Sequence, residues 1–293
     1  MNHRNEKTRL IPFQDLTLLD RFLFSEAVEN EQFLADVLSI IMGEDIVLKN
    51  PPQTEKEMRS SEIRKYIKLD VFSEDLEENI YDTEVQKKNT GNLPRRSRYY
   101  QAMVDSKLLA VGDTDYQKLN RVHMIMIAPF DLFGKDRYRY TFQMSCIEEA
   151  DVCLDDGAYR IFLNTHGKDD ENISPELKAL LQFFEHPSKE VAEQSGSERI
   201  KRMQKRVKTL KESEELGAKY MREWEEKALA RKEGHAEGRA EGHAEGLEEG
   251  QTLGQDRVNQ LFAKLFALGR LEDAQRAATD PVFQAQLFAE LGL

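Results

Sequence analysis

Apolar side chains recur at helical spacing over Phe33, Leu34, Val37, Leu38 and Ile41 and stop at Gly43, which predicts an amphipathic helix closed by a glycine. A more N-terminal helix is predicted from about Leu16 to Val28. The pattern then changes to period two. Ile67, Leu69 and Val71 alternate with Lys68, Asp70 and Phe72, and Tyr81, Thr83 and Val85 alternate with Asp82, Glu84 and Gln86, so each run reads as a strand with two distinct faces. The polar stretch from Ser73 to Asn79 is short enough for a hairpin loop.

Further along, a helix is predicted after Pro94, with Tyr99, Ala102, Met103, Ser106 and Leu109 on one side. Val122 to Ile127 is apolar at both parities, the mark of a central strand buried on both faces. Tyr138 to Met144 alternates again, and Tyr159 to Leu163 is expected to add an edge strand. Ser174 and Pro175 read as cap and first turn of a helix backed by Leu177, Leu180, Leu181 and Phe184. Helices interleaved with strands in this order predict an α/β domain with a mixed sheet flanked by helices.

The remainder of the chain has another texture. Ile200, Met203, Val207, Leu210, Met221, Trp224 and Ala228 keep one heptad phase inside a highly charged stretch, interrupted at Glu214 and Gly217. That stripe predicts a long helix that pairs with another helix, a second copy of the chain being one candidate. Its first half is basic, from Arg199 to Lys211, a solvated face or a DNA contact. Residues 233–254 repeat EGHA-EGRA-EGHA-EGLE-EGQT-LG, with six glycines four apart. Each glycine inside a helix costs about 0.5 to 1 kcal/mol relative to alanine, so the repeat is either a packed helix or a flexible spacer. Val258 to Phe266 and the segment after Asp280-Pro281 predict a small helical hairpin. The expected divisions are therefore 10–190, a globular domain; 196–232, a charged helix; 233–254, the glycine repeat; and 256–293, the helical hairpin.

Composition narrows the function. The chain has 293 residues, 40% of them hydrophobic, and a net charge of −12. Such an acidic total argues against indiscriminate coating of nucleic acid, whose phosphates are held by Lys and Arg, yet it leaves room for a local basic cleft. Cys146 and Cys153 form no CxxC pair and the six histidines no zinc spacing, which excludes a disulfide framework or a structural zinc. No stretch approaches the ~20 apolar residues of a membrane span and the first residues carry no apolar leader, so a soluble, cytoplasmic protein with no membrane partner is expected.

The candidate chemistry lies on the two period-two runs. Alternation puts Asp70 on one face, and Asp82, Glu84 and Gln86 on one face of the neighbouring strand. If the hairpin registers so that these faces coincide, several carboxylates crowd together, and like charges at close range resist ionisation unless a cation offsets them. A divalent ion with oxygen ligands, Mg2+ or alternatively Mn2+, is the usual solution, and it can activate water against a phosphodiester. Acidic residues on a solvated hairpin are the bland alternative, since the chain carries 54 Asp and Glu.

The run KLDVFSED from Lys68, IYDTEVQ from Ile80 and LPRRSRYYQ from Leu93 resembles the Rpn family of recombination-promoting nucleases and transposases, within the PD-(D/E)XK nuclease superfamily. The likeness continues through APFDLFG from Ala128, Asp155-Asp156-Gly157 and Leu163-Asn164-Thr165, and covers about residues 10–190. It implies a restriction-endonuclease-like core and a metal-dependent DNA endonuclease. It also assigns roles: Asp70 and Glu84 as metal-binding and catalytic carboxylates, the Val85 carbonyl as a further ligand with its side chain turned inward, and Gln86 where many relatives carry lysine. Leu69 replaces the proline of the superfamily name, and Gln86 supplies no positive charge. Lys88 shares the face of Glu84 but lies four residues on, about 13 Å, so only its long side chain reaches back. Leu19-Asp20-Arg21-Phe22 resembles the family's N-terminal motif, which makes Asp20, and after it Glu26, a candidate metal ligand, with helix capping as the competing role for Asp20. Arg96 and Arg98 are candidate contacts to DNA phosphates together with Lys88, while Arg95 is expected to face solvent. A second class of function stays open: an oligomeric DNA-binding or interaction protein that keeps the nuclease fold without catalysis, its C-terminal helices joining copies.

Overall fold

A computed structural model of the chain describes residues 10–58, 67–110 and 112–293. It divides into two compact units, residues 1–221 and 222–293. In the first, six strands form one sheet: Gln53–Met58 (β1), Ile67–Glu74 (β2), Ile80–Val85 (β3), Val122–Ala128 (β4), Arg139–Phe142 (β5) and Ala158–Asn164 (β6). Their order across the sheet is β1-β2-β3-β4-β6-β5. β1, β2 and β3 are antiparallel neighbours, β3, β4 and β6 are parallel, and β5 returns antiparallel to β6. The predicted mixed α/β sheet is thus present, with β4 buried along its whole length at the centre.

Helices Arg21–Val28 (α1), Glu31–Met42 (α2), Leu93–Asp105 (α3), Pro175–Glu185 (α4), Lys189–Gln194 (α5) and Glu198–Lys211 (α6) flank it. The larger core joins α1, α2, α4 and α6 to Tyr81 and Val85 of β3, Ile125 and Ile127 of β4, and Ile161 and Leu163 of β6. On the opposite parity, Ile80, Val122 and Met124 pack with Met103 and Val104 of α3. Because Asp82 and Glu84 share the parity of Ile80, alternation turns them toward α3, away from the larger core.

Local chemistry explains the helix ends. The Asn30 side chain accepts from the Phe33 N–H at 2.9 Å, and Gly43 closes α2 with φ 83°, a left-handed turn that glycine adopts freely. Ser174 caps α4 by accepting from the Leu177 N–H at 3.1 Å, as its place before Pro175 predicts.

Several expectations are corrected. α1 starts at Arg21, not near Leu16, because residues 13–15 form a single 3-10 turn instead. β1 has no counterpart in the sequence reading: QTEKEM alternates in burial without an apolar stripe. β6 is interior and β5 is the edge. Val71 enters the larger core while Ile67 and Leu69 join the α3 side, so β2 does not keep one face along its length. Glu55, which the register sets opposite Asp70, has φ 53°, a local distortion of the ladder at that point. α3 is rotated from its predicted face: Ser97, Gln101 and Val104 are buried and Tyr99 is exposed.

The charged stretch is two helices. α6 ends at Lys211 and a new helix, Glu214–Ala267 (α7), begins after Ser213, whose hydroxyl accepts from the Leu216 N–H. The stripe Ile200, Met203, Val207 and Leu210 is buried against the first unit's own core, so this half of the heptad pattern pairs within the chain. Arg202 holds the buried Asp36 of α2 through two bonds of 3.1 and 2.7 Å, and Arg206 donates to the Glu26 carbonyl, so part of the basic run is internal wiring. The second unit takes in the glycine repeat, which is helical, and three helices at its end: the close of α7, Leu271–Ala277 (α8), absent from the predicted hairpin, and Pro281–Leu291 (α9). Leu261, Leu265, Ala274, Ala277 and Leu287 form their core. A Cβ added at any of the six repeat glycines would meet no atom within 4 Å, so these glycines are not used for close packing in this chain.

His123 sits in a cross-strand stack between Tyr81 and Tyr159, with ring centres 5.1 and 5.0 Å apart. Burial pushes its imidazole down to about 4. The unfolded chain therefore binds more protons than the folded one between about pH 6.5 and 4, and stability is lost as pH falls through that window. At about 1.4 kcal/mol per unit the loss is on the order of 2 to 3 kcal/mol. His123→Phe keeps the stack and removes the titration, so its melting temperature should fall less than that of the wild type between pH 7.5 and pH 4.5. Equal falls would exclude His123 as the source.

Candidate active site

The β2–β3 ladder pairs Val71 with Thr83 and Phe72 with Asp82, which sets Asp70 opposite Glu84 one step beyond the last paired residues. There the strands no longer bond backbone to backbone. The Asp70 N–H donates to Glu84 Oε1 at 3.0 Å, and the Val85 N–H donates to the Asp70 carboxylate. β3 is meanwhile held from its other side by parallel pairing with β4, continued by the Gln86 N–H to the Ile127 carbonyl at 2.9 Å. Asp70, Asp82 and Glu84 converge on one patch, exposed by 4%, 0% and 3%.

Two arginines from different helices meet this patch. Arg21 Nη2 of α1 lies 2.6 Å from Asp70 Oδ1, and Arg96 Nη2 of α3 lies 3.0 Å from Glu84 Oε2. Arg96 Nη1 also donates to Gln86 Oε1 at 3.1 Å, while Gln86 Nε2 donates to the Lys88 carbonyl at 2.9 Å. The Arg96 guanidinium carbon stands 5.6 Å from the ring centre of Tyr100, one turn along the same helix.

Burial nevertheless governs the electrostatics. Removal from water raises the Glu84 carboxyl to about 7, with the Asp70 charge adding to the rise and Arg96 opposing it. Burial also raises Asp70 against the pull of Arg21, whose side chain is 46% exposed and so partly screened by water. Asp82 is pushed well above the carboxylate range by burial, then by Glu84 and Asp70. Neither of its oxygens has a hydrogen-bond partner among the described residues.

Those properties test the patch against a divalent cation. Among the described residues no group of three or more His, Cys, Asp or Glu side chains is gathered into an ion cage. The donors are all hard oxygens, they are buried, and the wholly buried Asp82 carboxyl is left without a partner, so the chemistry suits Mg2+ or Mn2+.

The candidates from the sequence are distributed as follows. Asp70, Glu84, Gln86 and the Val85 backbone come together, and the Val85 side chain packs into the larger core. Arg96 joins them as an ion-pair partner, whereas Arg98, Arg95 and Lys88 are exposed. Asp20 makes no capping bond; it accepts from the Thr17 N–H at 2.8 Å and from Lys87 Nζ at 2.6 Å. Glu26 is held by Lys219 at 2.5 Å. The sequence reading passed over Arg21, although it adjoins Asp20 in the same motif, and over the buried Ser97 and Gln101 of α3. Nothing in an isolated Ser or Gln marks it as buried beside a site.

Residues 18–233 match the profile described as PD-(D/E)XK nuclease family transposase. The chain belongs to this family. No match is found among curated proteins or among solved structures. Membership in a PD-(D/E)XK nuclease family implies phosphodiester hydrolysis on DNA, and proteins of this kind typically use a divalent metal. Among the described residues no helix is long and apolar enough to cross a membrane.

In the ion-free protein the raised Asp82 carboxyl makes the folded state bind a proton that the unfolded chain releases near pH 3.8. Stability therefore declines as pH rises from about 4 toward the folded-state value. Asp82→Asn removes that decline, so its melting temperature relative to wild type should be higher at pH 7 than at pH 5 in EDTA. A constant difference across that range would show that Asp82 does not titrate as described.

Proposed function

We propose that this PD-(D/E)XK family protein is a Mg2+-dependent DNA endonuclease. The observation that supports the reading is the Asp70 N–H to Glu84 Oε1 bond of 3.0 Å, which sets two residues with buried carboxylates side by side on adjacent strands. Asp70, Glu84 and the Val85 carbonyl are the proposed ligands, and Asp20 is the remaining candidate. When bound, such an ion supplies a Lewis acid for the phosphoryl oxygen and an acidified water as nucleophile.

The chain's own groups do the rest. β3, clamped by β4, holds Glu84 and Val85 rigidly, and β2 presents Asp70 from the side on which the ladder opens. Gln86 orients a water through its amide, whose carbonyl oxygen is anchored by Arg96. Arg98 and Lys88, exposed near the patch in sequence, bind the DNA backbone, where each phosphate contact adds affinity and salt dependence.

Incubation of supercoiled plasmid with purified protein tests the reading. Nicking or linearisation is expected with Mg2+ or Mn2+, and its loss with EDTA and in Asp70→Ala and Glu84→Ala. Mg2+ should also raise the melting temperature of wild type by mass action and leave both variants unmoved. A folded wild type that neither cleaves nor gains stability with either ion would overturn the proposal in favour of a binding protein that keeps the fold.

Arg98→Gln and Lys88→Gln should each weaken duplex binding across unrelated sequences and reduce the slope of log affinity against log salt by about 1. Unchanged slopes would remove both from the DNA contact.

A further inference from the structure

We infer that Arg96 is the cationic residue of the reaction centre, the group that meets negative charge developing on the attacked phosphate; the inference rests on the endonuclease reading above. In phosphodiester hydrolysis a water oxygen forms a bond to phosphorus, the bond from phosphorus to one ester oxygen breaks, and the leaving oxygen takes a proton. Charge builds on the non-bridging oxygens as this happens, and a preorganised donor aimed there lowers the barrier.

The patch holds three carboxylates, and the residue two places after Glu84 is a neutral glutamine. Of the cations near it, Lys87 is bound to Asp20, and Arg21 is shared between Asp70 at 2.6 Å and Glu55 at 3.9 Å. Arg96 alone of these spans both members of the Glu84–Gln86 pair, at 3.0 and 3.1 Å. A guanidinium carries five N–H donors in a rigid fork and stays charged at any working pH, so the two bonds leave donors for a phosphate oxygen. Its Nε is buried and has no partner among the described residues.

Its mounting is rigid as well. α3 is fixed to the sheet by Met103 and Val104, which pack with Ile80, Val122 and Met124, and Tyr100 lies beside the guanidinium. With a side chain 24% exposed, Arg96 is more enclosed than Arg21 while still reaching solvent, as a group that meets a substrate must. An arginine that merely gathered DNA would stand free on the surface, as Arg98 does.

The test is single-turnover cleavage by wild type, Arg96→Gln and the double variant Arg96→Gln with Gln86→Lys, read beside duplex affinity in EDTA and melting temperature. Loss of one such donor should slow the bond-breaking step by about 100-fold, with affinity reduced by less than about threefold. Moving the charge back onto the strand in the double variant should recover at least a tenfold part of that rate. Arg96→Gln cleaving within about fivefold of wild type, or a loss that lies wholly in affinity, overturns the inference and leaves the endonuclease reading standing. Should Arg96→Gln lose its cooperative melt, Arg96→Lys decides alone, since it keeps a cation on the same helix and leaves Gln86 in place: a cleavage rate within about tenfold of wild type supports the inference, and a folded protein slowed by more than about 100-fold with unchanged affinity overturns it. A wild type without cleavage sinks the endonuclease reading and this inference together.

Discussion

Three carboxylates buried in one patch of sheet, against two guanidiniums, set the terms for the rest of the first unit. A carboxylate removed from water costs several kcal/mol unless it is paired, hydrogen-bonded or protonated. Asp70 is paired with Arg21 and bonded by the Val85 N–H, Glu84 is paired with Arg96 and bonded by the Asp70 N–H, and Asp82 has neither kind of partner among the described residues. The placement of α1 and α3 follows. Each helix has to deliver its arginine to the sheet from its own side, and the larger core and the Met103–Val104 contacts fix them there.

The same constraint explains where the sheet opens. Continued antiparallel pairing of β2 with β3 would have left the Asp70 N–H on a backbone carbonyl; instead it is directed at the Glu84 side chain. Ladder bonds are lost at the point where β1 also departs from regular geometry, at Glu55. Parallel pairing with β4 compensates by keeping β3 straight through Val85. The result is one strand, carrying Glu84, held by β4, and a neighbour, carrying Asp70, bonded to it through side chains where a uniform hairpin would use its backbone.

Much of this was legible in the sequence, for identifiable reasons. Period-two alternation depends only on backbone geometry, so the faces of β3 and the burial of Val85 could be read directly, while the meeting of Asp70 with Glu84 hung on a register that alternation alone does not set. Gly43 and the Ser174–Pro175 pair are local signals and marked their helix ends correctly. What escaped depends on tertiary context. β1 has no apolar stripe because both of its faces are largely polar, and the rotation of α3 follows from an interior that accepts Ser97 and Gln101 at positions a hydrophobicity pattern assigns to solvent. Arg21 escaped because an ion pair with a residue 49 positions away leaves no periodic trace. The heptad stripe of α6 was real but ambiguous: spacing cannot tell a partner within the chain from one in another chain, and Asp36 with Arg202 settles it here.

Charge counting links the architecture to the proposed chemistry. Burial favours the protonated form of Asp82, and Asp70 and Glu84, when ionised, are each paired with one guanidinium, Arg21 and Arg96. A divalent ion brings two further positive charges. Under the endonuclease reading, ionisation of Asp82 would offset one of them and a phosphodiester the other, so that ion and DNA together would restore the balance that either one alone upsets. A patch with one arginine fewer would have to protonate a second carboxylate to stay folded, giving up a ligand. A patch without Asp82 would face the ion with no reserve of negative charge. Under the endonuclease reading, the third carboxylate, which has no partner among the described residues, is the group that would let the same few residues be stable without the ion and competent with it.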